Sequence, residues 1–202
     1  SSNSAPIPGQ KNPIVAAGLS LILPGLGEYY VGEQLWRGVL FTGIEVGLWA
    51  GRAHWQQRYD DSGAAFYAFT AHHWDTGRYV RYLDSQLVAN HVSQGCNCFP
   101  DSSDVHSLNR AIAKLDSLAS SSTDPYATDD FTHRLAIGDP QQWNELLSKY
   151  NEFLPGWDDP SRFLRAGEMR ANWNSQAGIA DAFLYGIFLN HVLSAIDAAL
   201  LA

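Results

Sequence analysis

Basic residues are scarce in this chain, and charge of either sign is low. Lys and Arg number 13 against 21 Asp and Glu, which gives a formal net charge of −8. Proteins that bind nucleic acid need basic patches, because the phosphate backbone supplies most of the attraction. The sequence therefore excludes nucleic acid as a partner. Charged residues make up only 17% of the 202 residues, below the usual quarter for a soluble domain.

Cysteine is nearly absent, and no familiar catalytic motif is present. The two cysteines are Cys96 and Cys98. Two thiols are too few for a structural zinc site, so the sequence predicts no metal. One intervening residue strains a mutual disulfide, so free or loosely paired thiols are the preferred interpretation and a disulfide is the alternative. The chain also lacks a nucleophile–base pair and a phosphate loop, and we expect no cofactor.

Aromatic residues, in contrast, are plentiful. They form 12% of the chain and include seven Trp and nine Tyr. Trp and Tyr favour membrane–water interfaces, because their rings bury carbon while a polar tip stays wet. A mean hydropathy of −0.20 also fits a soluble protein with an aromatic core.

The chain is organised around an apolar helical hairpin at residues 12–51. Its first apolar run, residues 14–23, has ten residues, which as a helix reach about 15 Å, half of a bilayer core of roughly 30 Å. The run therefore forms half of a re-entrant hairpin or continues past a proline kink. Small residues that permit close helix packing recur through the segment: Pro24, Gly25, Gly27, Gly38, Gly43 and Gly47.

The middle of the chain, residues 52–159, reads as a polar helical and loop region. His72 and His73 are adjacent and point to different sides of a helix, so they do not chelate one metal. Trp74 and Tyr79 follow, and they serve either in packing or as anchors at a membrane surface.

A long C-terminal helix is predicted over residues 160–202, and its second half is apolar enough to span a membrane. On a helical wheel His191 and Asp181 lie about 80° apart and Asn190 and Asp197 about 20° apart, and we place all four on one half of the helix. With Glu45 as the partner of His191, they form a predicted buried polar stripe. The stripe either joins this helix to the hairpin or carries a proton or ion.

Two stretches resemble a known family. Residues 20–30 read SLILPGLGEYY, with a PGxGxxY hairpin motif, and residues 190–198 read NHVLSAIDA, with an NHxxSxxDA pattern. Both are similar to segments of bacterial membrane proteins in the DUF5683-like group. The resemblance implies an uncharacterised helical membrane protein that carries a signal peptide, and it implies no catalytic residues.

Together these features predict an all-α protein in which the membrane-associated hairpin packs against the long C-terminal helix. Residues 1–11 are polar and flexible, typical of a mature chain after signal-peptide removal. The first functional hypothesis is a non-enzymatic integral membrane structural or assembly subunit in a bacterial membrane, with the lipid bilayer, a second copy or a larger complex as its partners.

Two other functional hypotheses remain open. One is a soluble or periplasmic helical enzyme or ligand-binding domain, with Glu45, His72, His73 and His191 around an aromatic pocket. The other is a small proton-linked transporter-like unit.

Overall fold

The computed structural model describes residues 11–121 and 131–202. Within those ranges the chain is helical and contains no strand, which confirms the predicted all-α class. The predicted flexible segment, residues 1–11, lies outside the described residues except for Lys11. The elements are α1 (Pro13–Ile22), α2 (Leu26–Val31), α3 (Leu35–His73), α4 (Thr76–Ala89), α5 (Val105–Ser120), α6 (Pro140–Leu147), a 3-10 helix (Asn151–Gly156) and α7 (Pro160–Leu201).

The chain divides into two compact units. The first unit comprises Ser1–Asp60 and Asn174–Ala202, and the second comprises Asp61–Trp173. The long helices α3 and α7 each contribute residues to both units.

In the first unit, α1 and α2 fold back on each other around Leu23–Pro24–Gly25. Asn12 begins α1 by accepting the backbone N–H groups of Ile14 and Val15, at 2.9 and 3.3 Å. Gly25 begins α2 and Gly32 ends it, both with positive φ. The predicted hairpin of two apolar runs thus contains a short additional helix, α2, because the chain reverses at Gly25 instead of running on straight.

Helices α3 and α7 run antiparallel in the first unit. A Cβ on Gly51 would meet the ring of Phe183, and Gly186 faces the side chain of Leu48. Farther along, Asn190 Nδ2 donates to the carbonyl oxygen of Phe41 at 3.1 Å. Residue numbers that rise on one helix therefore fall on the other.

The second unit has a conventional apolar core. Its largest fully buried side chains include Phe66, Tyr79 and Phe153. Trp74 is only 7% exposed, and its Nε1 donates to the carbonyl oxygen of Phe153 at 3.0 Å. The alternative of Trp74 and Tyr79 as membrane-surface anchors is therefore wrong, because both rings are enclosed by their own unit.

A loop between α4 and α5 holds both cysteines. Cys96 and Cys98 are joined by a disulfide, so the preferred interpretation of free thiols is wrong. The two Cα atoms lie 5.1 Å apart, which brings the side chains within bonding reach across one intervening residue.

The two units differ in what they expose. Twenty of the 23 large hydrophobic side chains that are exposed among the described residues belong to the first unit. The first unit also buries polar groups, including Ser20, Glu28, Glu45, Asn190 and Ser194. Many large apolar side chains of the first unit thus face outward, while several polar side chains lie in its interior.

Candidate functional site

The turn between α1 and α2 is enclosed by other helices of the first unit. Pro24 is fully buried, and its carbonyl oxygen accepts the hydroxyl of Thr42 at 3.0 Å. The backbone N–H of Gly25 donates to Ser194 Oγ at 2.8 Å. A Cβ on Gly25 would overlap the carbonyl oxygen of Gly38, and its φ of 96° also favours glycine. Side chains of α3 and α7 thus satisfy the backbone of the turn.

The other predicted packing glycines fall into two groups. A Cβ on Gly27 would overlap the carbonyl oxygen of Ala16 and the side chain of Ala198, and one on Gly38 would meet the ring of Tyr29 at 2.7 Å. These glycines serve packing inside the unit. Gly43 and Gly47, in contrast, have open space where a Cβ would be.

Glu28 of α2 is fully buried in the first unit. Its Oε2 accepts the hydroxyl of Ser20 at 2.8 Å, and its Oε1 accepts the hydroxyl of Ser194 at 2.9 Å. Both serine oxygens in turn accept backbone N–H groups, Ser20 from Gly27 at 3.0 Å and Ser194 from Gly25 at 2.8 Å. This network links α1, α2 and α7 through one carboxyl group.

Glu45 forms a second buried network, between α3 and α7. Its Oε1 accepts the indole N–H of Trp49 at 2.7 Å, and its Oε2 accepts Asn190 Nδ2 at 2.9 Å. His191 Nε2 lies 3.3 Å from Oε1 of the same carboxyl group, and His191 Nδ1 lies 2.8 Å from the carbonyl oxygen of Leu21. The structure thus brings together three members of the predicted stripe, Glu45, Asn190 and His191.

Asp197 is the fourth stripe residue that meets a partner. It forms an ion pair with Arg37 of α3, and both side chains are partly buried. Asp181, however, is exposed, so its assignment to the buried stripe is wrong. Nine residues separate it from Asn190, and at about 100° per residue the two point to opposite sides of the helix.

Sequence reasoning missed Ser20, Ser194 and Arg37 as parts of these networks. Ser194 follows Asn190 by four residues and precedes Asp197 by three, which is the spacing of one helix face. That spacing was a usable signal for Ser194. Ser20 gave no such signal, because a lone serine in an apolar run is ordinary.

The second unit holds a buried acid of its own. Glu152 accepts the backbone N–H of His133 at 3.0 Å, and its Oε1 lies 2.9 Å from His133 Nδ1. Burial raises the pKa of Glu152 to about 7, although backbone hydrogen bonds from His133 and Thr132 oppose the shift. Burial also lowers the pKa of His133, and Lys149 and Arg134 add to that effect.

Near this acid lies Tyr79, which is fully buried and whose hydroxyl has no hydrogen-bond partner among the described residues. Burial and then the charge of Glu152 raise the pKa of Tyr79. Both effects keep the hydroxyl protonated.

The histidines of the rival enzyme hypothesis have local partners. His73 Nδ1 lies 2.8 Å from Asp158 Oδ2, and this hydrogen bond lowers the pKa of Asp158. His72 is exposed beside it, with ring centroids 4.7 Å apart. Both belong to the second unit, whereas Glu45 and His191 belong to the first. Among the described residues, no group of three or more His, Cys, Asp or Glu is placed to hold a metal ion.

Each unit contains an open hollow. In the first unit an apolar groove of about 660 Å³ runs beside His191, lined by Leu21, Leu184, Tyr185, Ile187, Phe188, His191 and Val192. In the second unit an aromatic hollow of about 350 Å³ includes Tyr67, Trp74, Trp143 and Asn144. The aromatic hollow contains neither His72 nor His73.

Comparisons of the chain with models of protein families, with curated proteins and with solved structures gave no match. The resemblance to the DUF5683-like group therefore stays a prediction.

Proposed function

We propose that the protein is a non-enzymatic integral membrane subunit with a structural or assembly role. In this proposal residues 13–51 and 182–202 of the first unit lie in the bilayer, and the second unit is exposed to water. The observation that carries the proposal is the distribution of side chains in the first unit, where 20 large apolar side chains are exposed while Ser20, Glu28, Glu45, Asn190 and Ser194 are buried. In water this arrangement is unfavourable, whereas in lipid the outer face needs no cover.

Helix α7 has the length and composition for a span. Among the described helices it is the one that is long and apolar enough to cross a membrane. In its apolar 18-residue window only 28% is buried. A core helix of a soluble protein would be mostly buried. As a helix, residues 182–202 are about 31 Å long, which is close to the thickness of the bilayer core. When His191 is counted as neutral, Asp197 is the only charged residue in this stretch, and it pairs with Arg37.

The first part of α3 supplies a second membrane segment in this proposal. Residues 35–51 reach about 25 Å and carry only Arg37 and Glu45 as charged groups. Both side chains have partners on α7. Exposed Trp36 and Trp49 lie near the two ends of this segment, where indole rings favour the headgroup region.

Helices α1 and α2 form a re-entrant hairpin in this proposal. A ten-residue α1 reaches halfway into the bilayer and α2 returns to the same side. Non-helical backbone at such depth needs hydrogen-bond partners within the protein. The hydroxyl of Thr42 donates to the carbonyl oxygen of Pro24, and the hydroxyl oxygen of Ser194 accepts the backbone N–H of Gly25.

The assembly role rests on Gly43 and Gly47. Their four-residue spacing places them on one face of α3, and no described side chain fills the space above them. Small residues at this spacing let a second transmembrane helix approach closely. We therefore propose that a second copy or another subunit packs there. The bacterial membrane location and the DUF5683-like kinship belong to the same proposal.

Alkaline carbonate extraction of membranes tests the proposal. We expect the full chain to stay in the membrane pellet and to dissolve only in detergent. Release into the supernatant would refute the integral membrane role and favour the soluble-domain hypothesis. A variant pair sharpens the result, since Phe188→Asp places a charge on the outer face of α7 and should increase release. Val88→Asp, at an exposed apolar position of the second unit, should not.

A further inference from the structure

We propose that the aromatic hollow of the second unit is a binding site for an uncharged sugar chain. The hollow has a volume of about 350 Å³, and all its lining residues belong to the second unit. Sites for small ligands occupy about 300–1,000 Å³ and combine apolar walls with a few polar groups. The proposal goes beyond the structural role, and it rests on the rings, the polar groups and the charge of this hollow.

The rings of the hollow are held in place by their own unit. The indoles of Trp74 and Trp143 form a corner, with centroids 5.8 Å apart and planes at 88°. Trp74 is fixed by its hydrogen bond to the carbonyl oxygen of Phe153, and Tyr67 packs against Trp173 in a T-shaped contact. Tyr67 and Trp143 are only half-buried, so part of each ring is accessible. The C–H face of a sugar ring packs well on such an aromatic surface.

Three lining residues offer unused hydrogen-bonding groups. The hydroxyl of Thr76 and the indole N–H of Trp143 have no partner among the described residues, and neither is fully buried. Asn144 Nδ2 donates to the carbonyl oxygen of Pro140 at 2.7 Å, which leaves Asn144 Oδ1 free to accept. The hollow thus presents a donor, an acceptor and a hydroxyl that does both.

This mixture of groups favours a sugar over a proline-rich peptide, which also packs on aromatic rings. Sugar hydroxyls both donate and accept, so they satisfy all three groups of the hollow. A proline has no backbone N–H, and its carbonyl oxygen only accepts. Proline residues therefore leave Asn144 Oδ1 without a donor.

The charge of the hollow favours an uncharged ligand. Its lining contains no Asp, Glu, Lys, Arg or His. A charged group that enters such a site loses water and gains no counter-charge, which is costly. The hydroxyls of a neutral sugar carry no such cost.

An adjoining hollow indicates that the ligand is longer than one ring. This second hollow, of about 270 Å³, shares Pro140 and Trp143 with the aromatic hollow. Val105 and Ile137 add apolar surface to it, and Ile137 is 55% exposed. One sugar ring fits one hollow, whereas a chain of rings crosses Trp143 and occupies both.

Isothermal titration calorimetry of the full-length protein, in a detergent without sugar headgroups, tests the proposal. The probes are linear trisaccharides of glucose, mannose and N-acetylglucosamine, the matching single sugars, and decaproline. We expect at least one trisaccharide to bind, and its single sugar to bind about tenfold more weakly or less because it meets only one hollow. Binding of no trisaccharide at millimolar concentration would overturn the proposal. Binding of decaproline alone would overturn it in favour of a peptide site.

Trp143→Ala is the first variant, because it removes the ring that both hollows share. Affinity for the trisaccharide should fall about tenfold or more, as is typical when a tryptophan at the centre of a contact is truncated. Trp36→Ala, at an exposed tryptophan of the first unit, should leave the affinity unchanged. Unchanged affinity in Trp143→Ala would refute the site.

Thr76→Val keeps the site testable if Trp143→Ala fails to fold. Valine keeps the shape of threonine and lacks the hydroxyl, so affinity should fall about threefold to tenfold. Thr76→Ser retains the hydroxyl and should bind nearly as well as the wild-type protein. Equal affinity in the wild-type protein and Thr76→Val would contradict the role of this hydroxyl and refute the site.

The sugar site and the membrane role fail separately. A chain that resists carbonate extraction and binds no trisaccharide refutes the site alone. A chain that is released by carbonate and binds a trisaccharide refutes the membrane role alone.

Discussion

The hydroxyl of Ser194 donates to Glu28 Oε1 at 2.9 Å, although 166 residues separate the two in the sequence. Both side chains are fully buried. The same serine oxygen accepts the backbone N–H of Gly25, so one side chain of α7 holds both the carboxyl group of α2 and the turn that precedes it. The PGxGE part of the hairpin motif and the serine of the NHxxSxxD pattern are thus two halves of one contact.

Ser194→Ala should destabilise the first unit. The change leaves the Gly25 N–H and one oxygen of Glu28 buried without this partner, and an unsatisfied buried polar group costs about 1–3 kcal/mol. Thermal unfolding in detergent measures the loss. Ser85→Ala is the matched control, because Ser85 is exposed and bonds only to its own helix at Tyr82. Equal stability of both variants would contradict the network.

Gly27→Ala and Gly43→Ala should differ sharply. A methyl group on Gly27 would overlap the backbone oxygen of Ala16, which cannot move aside without shifting α1. Overpacking of this kind costs about 1–3 kcal/mol or more. Gly43 has open space, and alanine there should stabilise α3 by up to about 1 kcal/mol. Unfolding curves of the two variants under identical conditions check the contrast, and a similar loss in both would be evidence against the packing.

The helices of this fold could be predicted more fully than its buried contacts. Residues 160–202 carry a long helical pattern with Asp159 and Pro160 at its start, and the structure has α7 at Pro160–Leu201. The reversal at Gly25 was harder to place, since Leu-Pro-Gly-Leu-Gly fits a kink as well as a turn. Only the contacts of Thr42 and Ser194 decide between them, and these depend on how α3 and α7 pack against the turn.

The polar stripe shows the same limit. The proposed partnership of Glu45 with His191 came from two ionisable groups in apolar helices, and the atoms lie 3.3 Å apart. The angle between Asp181 and His191 fits a shared face of the helix, but Asp181 lies opposite Asn190 on the wheel. The disulfide between Cys96 and Cys98 depends on loop geometry, which residue spacing does not fix.

The stability of the second unit should fall as pH rises from about 4.5 to about 7. Burial holds the pKa of Glu152 at about 7 in the folded chain, above its ordinary value of 4.5, so the folded state prefers the protonated acid. The contribution of Glu152 to stability is fully present below pH 4.5 and is lost as pH rises through 7. Unfolding measured across this range checks the slope.

Glu152→Gln isolates this effect. A glutamine stays neutral at every pH, so the downward slope should disappear in the variant. The lowered pKa of His133 acts in the opposite sense, because its protonation below about 6.5 destabilises the folded state, and it remains in the variant. Glu168→Gln, at an exposed position of α7, should keep the wild-type slope. A slope that survives Glu152→Gln would show that another group titrates.

Gly43→Ile with Gly47→Ile should disrupt assembly without unfolding the chain. Both positions have room for a side chain in the single chain, but a bulky residue blocks the close approach of another helix. Light scattering in mild detergent reports the oligomeric state. The matched control is Val39→Leu with Val46→Leu, at exposed positions of the same helix that already carry bulky side chains. An unchanged oligomer in the glycine variant would exclude this face as the contact.

We propose that the exposed apolar side chains of the first unit contact lipid. Electron paramagnetic resonance of spin labels at Phe188→Cys and Val88→Cys, in protein reconstituted into liposomes, tests it most directly. Both positions are exposed and apolar, Phe188 on α7 in the first unit and Val88 on α4 in the second. We predict that the label at 188 collides with oxygen and is shielded from a water-soluble nickel reagent, while the label at 88 is open to nickel. Free access of nickel to position 188 would contradict the membrane assignment.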